Sequence, residues 1–347
     1  MKHHPLIRHG FFKATGVSAG SLFISPSGLL RGHERKSGDK LNVAFIGRGF
    51  LLALLWVCCG HLPAAETRDL ILVAGQSNAV GFNAKPADLP ADPTDKDILF
   101  WWRAGDPPPD PHDSTSGGKW TYLQPQPLGD PKLPRQGRQY GNFAQADGGF
   151  GPEIGLARAL HAKEGKPLAI LKAAFSGTGM AQDWNPADPG DGGSCYRALV
   201  AETKSAIAAA SAQGITLRLR ALAWVQGESD ANATAAPLYE KALGDMITAL
   251  RKDLDAPQLT ALLAVNTRFG GGKNKFMPKI VEAQKLLANK LPRCAYVDTA
   301  TATIANNAHF DTAGTLDVGR RFAEVLVQRE AASAANPPTP KQRPDAK

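Results

Sequence analysis

The sequence predicts an α/β fold with a mainly parallel sheet covered by helices on both faces. From residue 69 onward, short apolar runs alternate with helical patterns. The runs are almost continuously apolar, as strands buried on both faces are. Several are followed at once by polar or glycine-rich turns, the place where ligands sit in such sheets. Together these observations imply a flavodoxin-like three-layer α/β/α sandwich.

The strands are expected at DLILVAG (69–75), DILFWW (97–102), PLAILKAAF (167–175), LRLRALAWV (217–225), LTALLAV (259–265) and CAYVD (294–298). Helical patterns fill EIGLARALHAKEG (153–165), YRALVAETKSAIAAASAQG (196–214), APLYEKALGDMITALRKDL (236–254) and KIVEAQKLLANKL (279–291), and an amphipathic helix over 313–334 closes the fold. The folded domain is expected to span 66–333. The polar, Pro-rich 334–347 has the composition of a disordered tail. Residues 103–152 are rich in Pro, Gly and Asp and too long for a neutral connection. They are expected to wall a site, with Trp101, Trp102, Trp120 and Tyr140 either as binding faces or as anchors to the core.

Residues 1–65 stand apart from this pattern. They hold 8 of the 40 Lys+Arg and 2 of the 32 Asp+Glu, so most of the formal charge of +8 belongs to them. The remaining chain is nearly balanced and shows no basic stripe interleaved with aromatics, which excludes a nucleic-acid partner. RHGFFKATGVSAGSLFISPSGLL resembles a twin-arginine export signal with His9 in place of the second arginine. KLNVAFIGRG (40–49) looks like the first strand and turn of a nucleotide-dependent oxidoreductase, but Phe50, Leu51 and Leu52 follow where the third glycine belongs. FLLALLWVCCGHLPAAE then reads as a second export signal, too short for a membrane span of ~20 residues. Residues 1–49 are a mis-assigned start, a fusion remnant or a long leader. The mature chain is expected to begin near Glu66 and to be exported to the periplasm or the exterior, without a stable membrane span. Trp56 and Val57 precede Cys58 where a lipid anchor wants small residues. Cys195 and Cys294 are the remaining cysteines, as one disulfide or two buried thiols. No His/Cys cluster has zinc spacing, so neither metal nor other cofactor is expected.

The chemistry-bearing residues gather at strand ends. LILVAGQSNAVGF delivers Ser77 just beyond the first strand. Five of the eight histidines lie in residues 1–65; His112 sits in the long loop, His161 ends a helix beside Lys163, and His309 lies in NNAHFDTAG between the last strand and last helix. His309 is therefore the well-placed imidazole for a general base. WVQGESDA (224–231) brings Gln226, Glu228 and Asp230 to the same edge, and AAFSGTGMAQDW (173–184) adds the glycine turn around Gly177. Amides and bare backbone N–H groups are what a developing oxyanion needs.

GQSN at 75–78, the SGTG turn, WVQGESD and HFDTAG ahead of GRRFAE resemble the ordered blocks of the SGNH hydrolases, across about residues 69–330. Within these they are similar to the sialate O-acetylesterase-like carbohydrate esterases, the group that includes acetylxylan esterases. The resemblance implies an SGNH fold and a secreted serine esterase that clears O-acetyl groups from an acetylated sugar, polysaccharide or sialic acid. It makes Ser77 the nucleophile, His309 the general base, and the Ser77 N–H, Gly177 N–H and Gln226 amide the oxyanion hole. Gln76, Asn78, Trp102, Tyr140 and Trp184 become candidate substrate contacts. One position departs from the pattern: Asn306 stands where the family carries the aspartate of D-x-x-H. Three readings stay open. Glu228 supplies the orienting acid; His309 works in a dyad oriented by backbone carbonyls and Asn306; or the chain is a weakened, sugar-binding relative. Asp311 is expected to cap the last helix.

Overall fold

The computed structural model describes residues 66–108, 110, 112–128 and 140–335. The two leader motifs, Cys58 and the tail beyond residue 335 lie outside the described residues.

The central strand β1 is Glu66–Gly75. Its side chains alternate between two apolar layers, as a period of two requires. Leu70, Leu72 and Ala74 join one core, and Ile71 and Val73 the other. After the single turn of helix α1 (Ser77–Val80) come β2 (Ile98–Gly105), the short β3 (Ser114–Thr115) and β4 (Thr121–Tyr122), and α2 (Glu153–Glu164). The chain continues through β5 (Leu168–Phe175), α3 (Met180–Asp183), α4 (Ser194–Ser211) and β6 (Ile215–Val225). It ends with α5 (Tyr239–Asp253), β7 (Thr260–Ala264), α6 (Met277–Lys290), β8 (Cys294–Tyr296) and α7 (Thr312–Ala335). Leu199 of α4, Leu243 and Met246 of α5 and Leu287 of α6 fill the first layer, whereas Leu156 of α2 with Val318 and Phe322 of α7 fill the second. Each such residue taken fully out of water contributes about 1.5–3 kcal/mol of transfer free energy.

The sheet order is β3-β2-β5-β1-β6-β7-β8, with β4 also on β2. β2, β5, β1, β6, β7 and β8 are mutually parallel, while β3 and β4 run antiparallel to β2. The chain fills one side of β1 first, then crosses to β6 and fills the other. Connections therefore diverge at the carboxyl ends of β1 and β6, which opens a crevice there. Each sequence-derived strand and helix has its counterpart; the additions are α1, α3, β3 and β4.

The long loop and the strand before it decide between the two expectations for their tryptophans. Trp101 and Trp102 of β2 and Trp120 of the loop are anchors rather than exposed faces. Trp101 donates Nε1–H to Glu202 Oε2 at 2.8 Å, Trp102 donates to Ser114 Oγ at 3.1 Å, and Trp120 donates to the Ala206 carbonyl at 2.8 Å. Trp101 and Trp102 are buried. The side chain of Tyr140 lies outside the described residues. Cys195 and Cys294 are both buried free thiols, which settles their alternative in favour of no disulfide.

Two glycines frame the β1–α1 turn for steric reasons. A Cβ at Gly75 (φ 136°) would lie 2.0 Å from the Val225 carbonyl oxygen, and one at Gly81 (φ 84°) would lie 1.7 Å from that of Phe150. Gly81 closes α1 in the left-handed conformation, its N–H bonded to the Ser77 carbonyl. Gly81→Ala is thus expected to lose more than about 1–3 kcal/mol, the cost of a strained backbone alone. Urea unfolding measures it, and a midpoint equal to the parent's would contradict this packing.

Candidate active site

Ser77 opens α1 immediately beyond β1 and is buried up to the crevice. Its Oγ lies 3.0 Å from Nε2 of His309. The ring of Phe82 covers the imidazole at 4.5 Å between centroids and 31° between planes. That cover has an electrostatic consequence: burial pushes His309 from 6.5 down to about 4, so the ring is neutral at pH 7. Nδ1 is buried and has no hydrogen-bond partner among the described residues. A base at Nε2 requires the proton on Nδ1, and there it has nothing to donate to.

Asn306 does not face Nδ1. Its Oδ1 accepts the N–H groups of Ala308 (2.8 Å) and His309 (2.9 Å), and its Nδ2 donates to Asn83 Oδ1 at 2.9 Å. It closes the turn that carries the histidine. Glu228 does not reach the imidazole either. Its Oε1 accepts from Asn78 Nδ2 at 2.7 Å and from the Asn266 N–H at 3.0 Å, and its Oε2 is buried without a partner among the described residues. Burial pushes this carboxyl upward, while the Asn266 N–H and the Asn78 amide pull it back. Of the three readings left open, the one that made Glu228 the acid on His309 is corrected: its hydrogen bonds support Asn78 and the Asn266 backbone instead.

Asn78 joins the two halves of the site. Beyond Glu228 it donates to the Ala308 carbonyl at 3.0 Å and accepts the Phe310 N–H at 3.0 Å. Asn266 Nδ2 donates to the same Ala308 carbonyl at 3.1 Å. The residues on either side of His309 are thus bound to the residue after Ser77. Asp311 accepts the Gly314 N–H at 2.7 Å and caps α7, as expected.

Other candidate contacts are spent on the scaffold. Gln226 is 0% exposed, and its Nε2 donates to the Thr178 carbonyl at 3.0 Å and to Asp230 Oδ2 at 2.5 Å. Neither amide hydrogen is left for an oxyanion. Asp230 also takes the Met180 N–H at 3.1 Å, which fixes the amide's orientation. Gln76 is buried, with Oε1 facing the N–H groups of Gly227 (3.4 Å) and Ser229 (3.2 Å). Trp184 is 0% exposed, packs against Trp224 and donates to Thr178 Oγ1 at 2.9 Å. It and Trp102 have no face to offer a ligand. Gly177 remains exposed at φ 70°, and among the described residues neither its N–H nor that of Ser77 donates to a protein group.

Sequence reasoning missed Phe82 and Asn266. Asn266 had a signal, since it lies two residues beyond β7; Phe82 had none. Among the described residues no group of His, Cys, Asp and Glu could hold a metal ion.

The family model described as carbohydrate esterase, sialic acid-specific acetylesterase matches residues 67–328. No curated protein matches the chain. Among solved structures, a protein from Arabidopsis thaliana is 20% identical with a TM-score of 0.54, over 75% of this chain and 98% of that one. A carbohydrate acetylesterase from Xanthomonas citri is 20% identical with a TM-score of 0.53, over 76% of this chain and 56% of its own. NanS is 18% identical with a TM-score of 0.50, over 78% of this chain and 99% of its own. These similarities show the fold.

The neutral imidazole sets a pH dependence. Below pH 6.5 the unfolded chain takes a proton on this histidine, while the folded chain resists until about pH 4. His309 thus favours the unfolded state increasingly as pH falls through that window. NMR titration of the imidazole is expected to centre near 4; a midpoint at 6.5 would mean that the ring is solvated.

Proposed function

The chain belongs to the sialic acid-specific acetylesterase family of carbohydrate esterases, which are carboxylic ester hydrolases, and on that premise we propose that Ser77 and His309 work as a dyad. The dyad removes O-acetyl groups from a carbohydrate through an acetyl-enzyme. The observation that carries this reading is the 3.0 Å approach of Ser77 Oγ to His309 Nε2 at the carboxyl edge of a parallel sheet. Ser77 Oγ attacks the acetyl carbonyl as its proton passes to Nε2. The free N–H groups of Ser77 and Gly177 receive the oxyanion, in place of the three donors that the sequence suggested. The imidazolium returns its proton to the departing sugar oxygen, and water repeats the cycle to release acetate.

With no acceptor at Nδ1 among the described residues, the imidazolium forms without electrostatic support. Loss of the orienting acid costs ~10⁴-fold where it has been removed from a complete triad. Backbone clamping of His309 by Asn78 and Asn306 offsets part of that loss by holding the ring in register. The orphaned Nδ1 also favours a second reading, a sugar-binding relative whose hydrolysis is residual. In either case the ligand is an acetylated polysaccharide or an acetylated sialic acid. Export is part of the proposal and is supported by the signal-like segments ahead of Glu66. Among the described residues no helix is long and apolar enough to cross a membrane.

Intact-mass spectrometry of the protein from its native host, mixed with p-nitrophenyl acetate, tests the mechanism and the processing together. The expected spectrum shows a chain beginning near Glu66 that gains one acetyl group, absent in Ser77→Ala, with ester turnover falling at least ~10³-fold in that variant. Equal turnover in Ser77→Ala would overturn the dyad. A mature chain that retains residues 1–65 would overturn the export reading.

A further inference from the structure

One charged side chain lies inside the core with no part in the chemistry above. Lys172 interrupts the apolar strand β5 and is 0% exposed. Its three ammonium hydrogens have three acceptors: the Val80 carbonyl at 2.7 Å, Gln126 Oε1 at 2.6 Å and Glu153 Oε1 at 3.0 Å. Glu153, also 0% exposed, takes the Gly151 N–H on the same oxygen at 2.7 Å. A buried pair of this kind is a poor source of stability, because apolar residues of similar volume serve the core as well or better. What such a pair does supply is a fixed geometry.

The geometry it fixes is that of the nucleophile turn. Val80 is the last residue of α1, and Gln126 and Glu153 bracket the second half of the long loop. Residues 144–151 of it lie against α1 and the turn that follows. A Cβ on Gly151 would meet the Ala79 carbonyl at 2.2 Å and Lys172 Nζ at 3.0 Å, and the Phe150 carbonyl occupies the space beside Gly81. The Ala144 N–H donates to the Phe82 carbonyl at 2.8 Å. Lys172 thus holds Val80 from beneath, Gly81 and Phe82 follow directly, and Phe82 covers His309.

We propose that Lys172 is a positioning residue for the ester hydrolysis: its buried ammonium locks the carboxyl end of α1 and the 140–153 segment together, and through Phe82 it keeps His309 packed in register with Ser77. The inference rests on the dyad reading for its effect on turnover. Its effect on the packing of His309 is independent of that reading.

The test uses Lys172→Met and, because that change alone strands Glu153 in the core, also Lys172→Met with Glu153→Gln. Thermal unfolding establishes that the double variant folds. On p-nitrophenyl acetate its kcat is expected to fall ~100-fold with KM little changed, as for a displacement of about an ångström in a reacting pair. The His309 titration is expected to rise from about 4 toward 6.5 as the cover loosens. A folded double variant with parental kcat and a parental titration would overturn the proposal, since a merely structural lysine changes stability alone. Ser77→Ala runs beside it. Activity surviving there sinks the dyad, and the titration then still decides whether Lys172 positions His309.

Discussion

Three hydrogen bonds from one buried amide bring the two halves of this site together. The Asn78 side chain contacts Glu228, the Ala308 carbonyl and the Phe310 N–H, so the turn after β1 is tied to the turn before α7 across more than two hundred residues of sequence. Neither turn could hold its position alone: α1 is four residues long, and the segment before α7 has little regular structure. The parallel sheet supplies the common edge at which these segments end. The amide decides how they face each other, and the short Ser77–His309 contact follows from both.

Electrostatics follow from that packing. A histidine held by its backbone, covered by Phe82 and unsupported at Nδ1 stays neutral at ordinary pH. Neutrality leaves Nε2 able to accept a proton, but the charged form is poorly stabilised once made. The carboxylates on this edge hydrogen-bond elsewhere: Glu228 through Oε1 to Asn78 and Asn266, and Asp230 to Gln226 and Met180. The site invests in position rather than in charge. Lys172 and Glu153 repeat the pattern one layer deeper, as an ion pair whose bonds lock segments together.

Much of this was legible in the sequence because strand ends are legible. Near-continuous apolar runs located the carboxyl edge, and elimination among eight histidines left His309 there with Ser77. Side-chain direction was not legible. Gln226 and Trp184 lie near the correct edge, yet both turn inward, and Trp102 packs against Phe100. Residue type cannot tell a donor facing the crevice from one facing the sheet below. Glu228 stayed ambiguous for the same reason: a strand-end carboxylate was one of three readings at the imidazole, and its bonds run to the amide beside it. Lys172 did leave a trace, a lone charge within LAILKAAF, whose meaning depended on segments distant in sequence.

The most direct measurement compares turnover in two conservative variants, with the fold of each verified. If His309 is held through Asn78, Asn78→Ala should lose ~100-fold in kcat by misplacing the ring, and Glu228→Gln, which keeps an acceptor for the amide, should lose only about tenfold. A loss near 10⁴-fold in Glu228→Gln, with Asn78→Ala close to the parent, would identify Glu228 as the missing acid after all and contradict this account.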